Sequence, residues 1–82
     1  MSRYYFNVRH PDRVLPDPDG SELTSLEEAR LEAAEVLLDL VANSIAARSR
    51  DIPIGVEVAD DDGAVLLAVS LQDVLPTALQ QA

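Results

Sequence analysis

Cysteine, tryptophan and lysine do not occur in this sequence of 82 residues, and histidine occurs once, at position 10. Because cysteine is absent, the chain has no disulfide, no thiolate metal site and no cysteine nucleophile. The three glycines are scattered, which excludes a glycine-rich phosphate loop. No apolar run approaches the roughly 18 residues that a membrane-spanning helix needs. Several classes of enzyme and transporter are therefore excluded from the outset.

The charge of the chain is strongly one-sided. Fifteen acidic residues face six arginines, and the formal net charge is −9. Nucleic-acid affinity comes mainly from cationic side chains that neutralise phosphates, so this charge argues against a nucleic-acid partner. We expect no nucleic acid, no membrane and no small-molecule substrate as partners, and any protein partner is expected to be basic.

The length leaves room for one domain, residues 1–82. A chain this short removes only roughly 60–65% of its unfolded surface from water, and so small a core often depends on a partner. The first residues, Met-Ser-Arg-Tyr-Tyr-Phe-Asn, contain no apolar signal-peptide core. The expected location is the cytoplasm.

All three aromatic side chains lie near the N-terminus, in a segment that alternates between apolar and more polar residues. This period of two predicts a central strand over residues 3–9. The turn signal at His10 and the nearby prolines confine any second strand to a short edge strand near residues 13–15. Asp17-Pro18-Asp19-Gly20 predicts another turn.

The strongest helix signal begins at Ser25. Its hydroxyl is placed to accept from the backbone of Glu28, whose carboxylate is expected to reach back in a capping box. No glycine or proline interrupts residues 25–49, which predicts one long helix. Arg48 and Arg50 are expected near its negative C-terminal end.

The last third predicts a hairpin of residues 54–61 and 64–71, followed by a C-terminal tail, residues 72–82. Asp62-Gly63 is typical of a two-residue type I′ turn, which needs positive φ at both positions. This turn sets a register that gathers the apolar side chains on one face. The expected opposite pairs are Val58 and Leu67, Val56 and Val69, Ile54 and Leu71, Glu57 and Ala68, and Gly55 and Ser70.

The predicted fold class is therefore α+β, with element order β-β-α-β-β. About four strands form a small antiparallel sheet, and one long helix packs on one of its faces. This is the simplest arrangement that buries the apolar patterns of both kinds of element.

The helix is apolar over more of its circumference than one sheet can cover. Beside the stripe that faces the sheet, a second stripe has the spacing of a coiled-coil seam. Either the stripe meets a second copy in a homodimer, or the C-terminal segment with Val74, Leu75 and Leu79 folds back over it. We predict the homodimer, and the candidate residues for self-association are Leu31, Ala34, Leu38, Val41 and Ile45.

Candidate catalytic and metal-binding residues do not emerge from the sequence. The aspartate-rich turns around Gly20 and Gly63 lack the first and twelfth ligands of a calcium loop. His10 is the only ordinary candidate for a general base, and its position before a proline is typical of an exposed turn residue. We expect no catalytic residue, no cofactor and no metal, and no enzymatic activity.

A binding surface is expected on the sheet face that points away from the helix. Tyrosine and arginine are common anchors of protein interfaces. The arginines on the first strand, Arg3 and Arg9, are also expected to pair with neighbouring acidic side chains. The candidate partner surface consists of Tyr5, Asn7, Arg9, Glu57 and Leu66.

Three segments resemble a known family in order and spacing: residues 3–8 (RYYFNV), 17–23 (DPDGSEL) and 26–33 (LEEARLEA). That family consists of small, mostly alphaproteobacterial domains of unknown function with an R-Y-[FY]-F-[HN]-[VL] opening strand. The resemblance extends to the aspartate-glycine hairpin near the end of the chain. It implies no activity and no cofactor.

A weaker resemblance is to HicB-like antitoxins. They also pass from an aromatic strand through a D-x-x-G turn into a helix opening S-L-E-E-A, as at residues 25–29. This resemblance implies a non-catalytic acidic protein that neutralises a small basic toxin. The leading functional prediction remains a protein-interaction or regulatory module, and an antitoxin is the alternative.

Overall fold

The structure, a computed structural model, describes residues 1–75 of the chain. The predicted α+β class, with one long helix on one face of a small antiparallel sheet, is confirmed. A short third strand and a short second helix add to the predicted elements. The elements are β1 Ser2–Arg9, β2 Val14–Leu15, β3 Ser21–Leu23, α1 Leu26–Ala46, β4 Gly55–Ala59, β5 Val65–Ser70 and α2 Leu71–Val74.

β1 lies in the middle of the sheet, as its aromatic side chains predict. The order along the sheet is β2-β1-β4-β5, and β3 pairs with β1 beside β2. β1 therefore has two short partners on one side, because β2 pairs with Val8 and Arg9 while β3 pairs with residues 2–4. All pairings are antiparallel.

The predicted register of the hairpin is confirmed. Four of the expected pairs lie opposite each other in β4 and β5, and the Leu71 amide donates to the Ile54 carbonyl at 3.0 Å where the fifth was expected. The turn itself differs from the expected type I′. Gly63 has positive φ (84°), but Asp62 does not, and the Gly63 amide donates to the Asp60 carbonyl.

The turn therefore has Asp61 and Asp62 at its centre, and Asp60 explains why. Its carboxylate accepts from the amides of Asp62 and Ala64, a local bond that competes with the tighter turn. The loop is one residue longer than predicted, and a bulge at Leu66 restores the register between Ala59 and Val58.

The helix begins at the predicted cap but ends early. The Ser25 hydroxyl accepts from the Glu28 amide at 3.1 Å, whereas the Glu28 carboxylate accepts from the Thr24 hydroxyl rather than completing a capping box. α1 ends at Ala46 instead of residue 49, because Arg48 adopts a positive φ of 56°. Arg48 and Arg50 thus lie beyond the last turn, which carries no basic residue.

The end of α1 is a Schellman motif formed without glycine. The Arg48 amide donates to the Ile45 carbonyl, and the Ser49 amide donates to the Ser44 carbonyl at 2.9 Å. These bonds satisfy carbonyls that the last turn leaves unpaired. No glycine marks this stop, which is why the sequence pattern predicts a longer helix.

The core lies between α1 and the inner face of the sheet. Four helix residues at intervals of four meet two aromatic side chains of β1 and three valines of β4 and β5. Within residues 1–75, no helix covers the opposite face of the sheet. The buried cluster consists of Tyr4, Phe6, Ala29, Ala33, Leu37, Val41, Val56, Val58 and Val69.

Candidate functional site

The outer face of the sheet, which α1 does not cover, carries the candidate partner surface. Strand pairing places Tyr5 opposite Ala59 and Asn7 opposite Glu57. Because side chains alternate along a strand, these four share one face. Arg9 lies beyond them and contacts the Glu57 carboxylate at 3.2 Å, which confirms the expected pairing with a neighbouring acid.

Asp17 borders this face and occupies the gap between β2 and β3. Its Oδ2 accepts from the Phe6 amide at 3.2 Å, so a carboxylate replaces the missing strand partner of β1. Its Oδ1 accepts from the amides of Asp19 and Gly20 at 3.1 and 3.2 Å. The Asp17 amide donates in turn to Asn7 Oδ1 at 3.0 Å, which fixes the Asn7 side chain.

These hydrogen bonds set the ionisation of Asp17. Burial alone would raise the pKa of this carboxyl group, but the amides of Gly20, Phe6 and Asp19 outweigh it and hold the pKa below its usual value. Asp17 is therefore a fixed negative charge at neutral pH.

The β4–β5 turn supplies the opposite wall. Partial desolvation, together with a hydrogen bond to the Asp61 carboxylate and its negative charge, raises the pKa of the Tyr5 phenol. The phenol is thus neutral at physiological pH and remains a donor toward Asp61. Asp61 is exposed, in contrast to the buried Ala59 at the floor.

Between these walls lies a recess of about 200 Å³. Three carboxylates, a phenol and an amide surround a small apolar floor, so the recess attracts cations and repels phosphates or carboxylates. We call it the outer-face recess. Its lining residues are Tyr5, Asn7, Asp17, Ala59, Asp60, Asp61 and Gly63.

The structure brings together only part of the predicted partner surface. Tyr5 and Asn7 line the outer-face recess, and Arg9 and Glu57 form an ion pair on the same face. Leu66 is exposed at the bulge and does not line the recess. Asp17, Asp60 and Asp61 also line the recess, although the sequence pattern indicates only turn residues there. The D-x-x-G spacing marks Asp17 and Asp60, and no local signal marks Asp61.

The candidate self-association residues divide into two groups. Leu31, Leu38 and Ile45 are exposed, and Ala34 is half-buried. Val41 instead packs in the core, because its position on the helix turns it toward the sheet. Val41 is therefore corrected to a core residue.

A groove of about 360 Å³ runs between α1 and the pair β5 and α2. Ala34 and Leu38 line it from the helix, and Val74 lines it from α2. α2 packs against α1, so the expected fold-back of the C-terminal segment holds for Val74, which contacts the core cluster. Leu79, which belongs to the same expectation, lies outside the described residues.

His10 differs from its expected role, since it is buried rather than exposed in a turn. Its Nδ1 lies 2.9 Å from Asp51 Oδ1, and Arg13 binds both oxygens of the same carboxylate. These Arg13 hydrogen bonds lower the pKa of Asp51. The cluster ties the β1–β2 turn to the segment before β4, a contact between residues about 40 positions apart that no local pattern predicts.

Metal ligands are not grouped in the described part of the chain. Among residues 1–75, no three histidine, aspartate or glutamate side chains are arranged to hold a metal ion. Within the same residues, no helix has both the length and the apolarity needed to cross a membrane.

Residues 3–72 match the family described as Domain of unknown function (DUF6894). The chain belongs to this family. The match runs from β1 into α2 and contains the outer-face recess and the exposed side of α1. The expected membership of a family of unknown function is thereby confirmed, and DUF6894 membership carries no activity with it. No curated protein and no solved structure matches the chain.

Proposed function

We propose that this DUF6894 domain is a non-enzymatic, cytoplasmic protein-interaction module that binds a basic segment of a partner protein in the outer-face recess. The observation that carries the proposal is the recess itself: the face without a helix holds a concave site walled by Asp17, Asp60 and Asp61. A concave site with a few converging polar groups is the usual form of a binding site.

The electrostatics of the recess favour a cationic side chain. Asp17 is held ionised by three amides, and Asp61 presents an exposed carboxylate on the other wall. The ring of Tyr5 adds a surface on which a guanidinium group can stack. Arg9 does not oppose this, because Glu57 neutralises it at 3.2 Å.

The net charge of −9 also favours a basic partner, through attraction that acts over longer distances than the contacts in the recess. Surface charge of one sign steers an oppositely charged partner to the protein and raises the association rate. The recess then supplies the local contacts that overall charge cannot. An arginine-rich segment satisfies both, since its guanidinium groups bind carboxylates in a planar fork.

A hexa-arginine peptide tests the proposal by NMR titration of the labelled chain. We expect shift changes centred on Tyr5, Asn7 and Asp61, and weaker binding at high salt. Asp61→Asn is expected to weaken binding about fivefold, the loss of one ionic contact of about 1 kcal/mol.

The matched control is Asp39→Asn, which removes the same charge from an exposed position on α1, away from the outer face. It is expected to leave the affinity nearly unchanged. Equal weakening by both variants would mean that the peptide responds to overall charge, and the recess would lose its proposed role.

An antitoxin is the alternative function. The helix opening at residues 25–29 and the acidic outer face favour it, because a HicB-like antitoxin neutralises a small basic toxin. This alternative predicts a small basic protein encoded beside the chain, and a tight complex that suppresses its toxicity. If no basic neighbour exists and no basic protein is recovered with the chain, the antitoxin role is wrong.

A further inference from the structure

The exposed apolar side of α1 lies next to the open edge of the sheet. Leu31, Leu38 and Ile45 expose about half of their surface, at 54%, 43% and 62%. The groove between α1 and β5 joins this side of the helix to β5, which ends the sheet in the part of the chain that the structure describes. The two features therefore form one surface outside the outer-face recess.

Within residues 1–75, β5 is an edge strand, and Ala68 has backbone groups free to pair. The Leu71 amide bonds Ile54 of the neighbouring segment, while the preceding amide of Ser70 turns away to the Asp73 carboxylate. Because bonding direction alternates along an antiparallel strand, the N–H and C=O of Ala68 point to the open edge. The strand sequence VLLAVS has no charge and no proline, the usual devices that block edge pairing.

The charge distribution leaves this surface nearly neutral in a chain of net charge −9. Four exposed acids of α1, Glu28, Glu32, Glu35 and Asp39, gather on a different arc of the helix, while the fifth, Glu27, lies near Leu31 and pairs with Arg30. The groove carries one anion, Asp73, and one cation, Arg30, whose guanidinium already pairs with Glu27. Two acids, Glu27 and Asp73, against one arginine leave a local net charge of −1, so two copies can meet here across a two-fold axis with little repulsion for a chain of net charge −9.

The length of β5 and the length of the exposed apolar side of α1 also agree. Six residues of β5 extend about 20 Å, and the helix from Leu31 to Ile45 extends about 21 Å. A second copy can therefore contact the strand edge and the helix side together.

We infer that a second copy of this chain docks on this surface. Two β5 strands pair antiparallel about a two-fold axis near Ala68 and join the two sheets, and the exposed sides of the two α1 helices pack beside the junction. A second copy is favoured over a basic partner here, because the surface is apolar and nearly neutral. The inference is independent of the outer-face recess.

Sedimentation equilibrium of the full chain tests the inference. We expect a species of twice the 8.9 kDa chain mass at micromolar concentration. Raising the salt concentration is expected to tighten the dimer, because it screens the repulsion between two acidic copies. Binding of a basic peptide in the recess changes in the opposite direction with salt, so the two proposals fail separately.

Leu38→Glu is expected to raise the dimer dissociation constant at least about 30-fold, the effect of losing a central apolar contact of 2 kcal/mol. The matched control is Leu15→Glu on β2, at the other end of the sheet, where Leu15 is 45% exposed. This control is expected to leave the dimer intact.

Ala68→Pro tests the strand pairing, because it removes one outward amide from an edge strand that tolerates proline. It is expected to give a folded monomer by circular dichroism. If it unfolds the chain, Ala68→Lys takes its place, since it keeps the backbone amide and sets like charges opposite each other at the axis. A monomeric wild-type chain, or a dimer that survives both the helix and the strand variants, would overturn the inference.

Discussion

The two edges of the sheet differ in how far their backbone groups are paired. On the β1 side, β3 pairs with residues 2–4, Asp17 accepts from Phe6, β2 pairs with Val8 and Arg9, and the His10 amide donates to Arg13. On the β5 side, six uncharged residues end the sheet within the described part of the chain. One edge is closed by short segments and a carboxylate, and the other is open.

This difference limits how copies of the chain can associate. An open edge on both sides would let sheets add without end, as in fibres. With the β1 edge closed, β5 can pair only with another β5, and that pairing uses up the open edge of both copies. The proposed dimer is therefore a closed assembly, and Asp17 is one of the residues that make it so.

Asp17→Ala is expected to have the largest effect on stability, because it opens the closed edge on the β1 side. The substitution leaves the Phe6 amide without its partner and removes the acceptor for the amides of Asp19 and Gly20. We expect a loss of about 2–3 kcal/mol in the free energy of unfolding, measured with urea. Asp19→Ala is the control, because Asp19 makes its hydrogen bonds through backbone atoms: its amide donates to Asp17 and its carbonyl accepts from Arg3. An equal loss of stability in this variant would contradict the role given to Asp17.

The pH dependence of stability tests the same role of the Asp17 carboxylate. Asp17 has a lowered pKa in the folded chain, so its stabilising contribution is present above the unfolded pKa of about 4 and is lost as the pH falls through the folded value. Urea midpoints measured from pH 7 to pH 3 are therefore expected to fall less steeply in Asp17→Ala than in the wild type. The pKa of Asp51 and that of Glu27 are also lowered, by arginine partners, so some slope remains in both proteins.

Replacing the turn glycine beside the β1 edge is expected to destabilise the chain more than replacing the turn glycine beside β5. Gly20 has φ of 70°, and a Cβ there would meet Arg3, Tyr5 and the Tyr4 carbonyl at 3.0 Å. Gly63 has φ of 84° with open space around it. We expect Gly63→Ala to cost about 1 kcal/mol through the left-handed backbone alone, and Gly20→Ala about 2 kcal/mol or more. Thermal unfolding of the two variants measures this; equal losses would mean that the Gly20 turn yields as easily as the exposed one.

The sequence predicts what depends on local patterns. The alternation in β1, the cap at Ser25 and the hairpin register all follow from neighbouring residues, and all three agree with the structure. Tyr5 and Asn7 could be placed on the outer face for the same reason. Local patterns cannot predict contacts between segments that are distant in sequence: His10 is buried with its Nδ1 at 2.9 Å from Asp51, and the role of Asp17 depends on a gap in the pairing of β1.

The errors at the ends of elements have a related cause. In the sequence, a glycine predicts the type of the hairpin turn, and the lack of glycine together with the arginines predicts a later end of α1. Side-chain bonds of Asp60 and a positive φ at Arg48 decided them instead. Such positions depend on a balance of about 1 kcal/mol, which a few hydrogen bonds reverse.

Amide hydrogen exchange gives the most local comparison of the two edges. The Phe6 amide is bound to Asp17, so we expect it to exchange slowly at any protein concentration, and to lose this protection in Asp17→Ala. The Ala68 amide faces the open edge, and we expect it to exchange quickly in dilute protein and to become protected as the concentration rises through the dimer dissociation constant. The neighbouring Val69, which pairs with Val56 within the sheet, serves as the internal reference. If Ala68 exchanged slowly and independently of concentration, the β5 edge would be covered within the single chain, and the difference between the two edges would disappear.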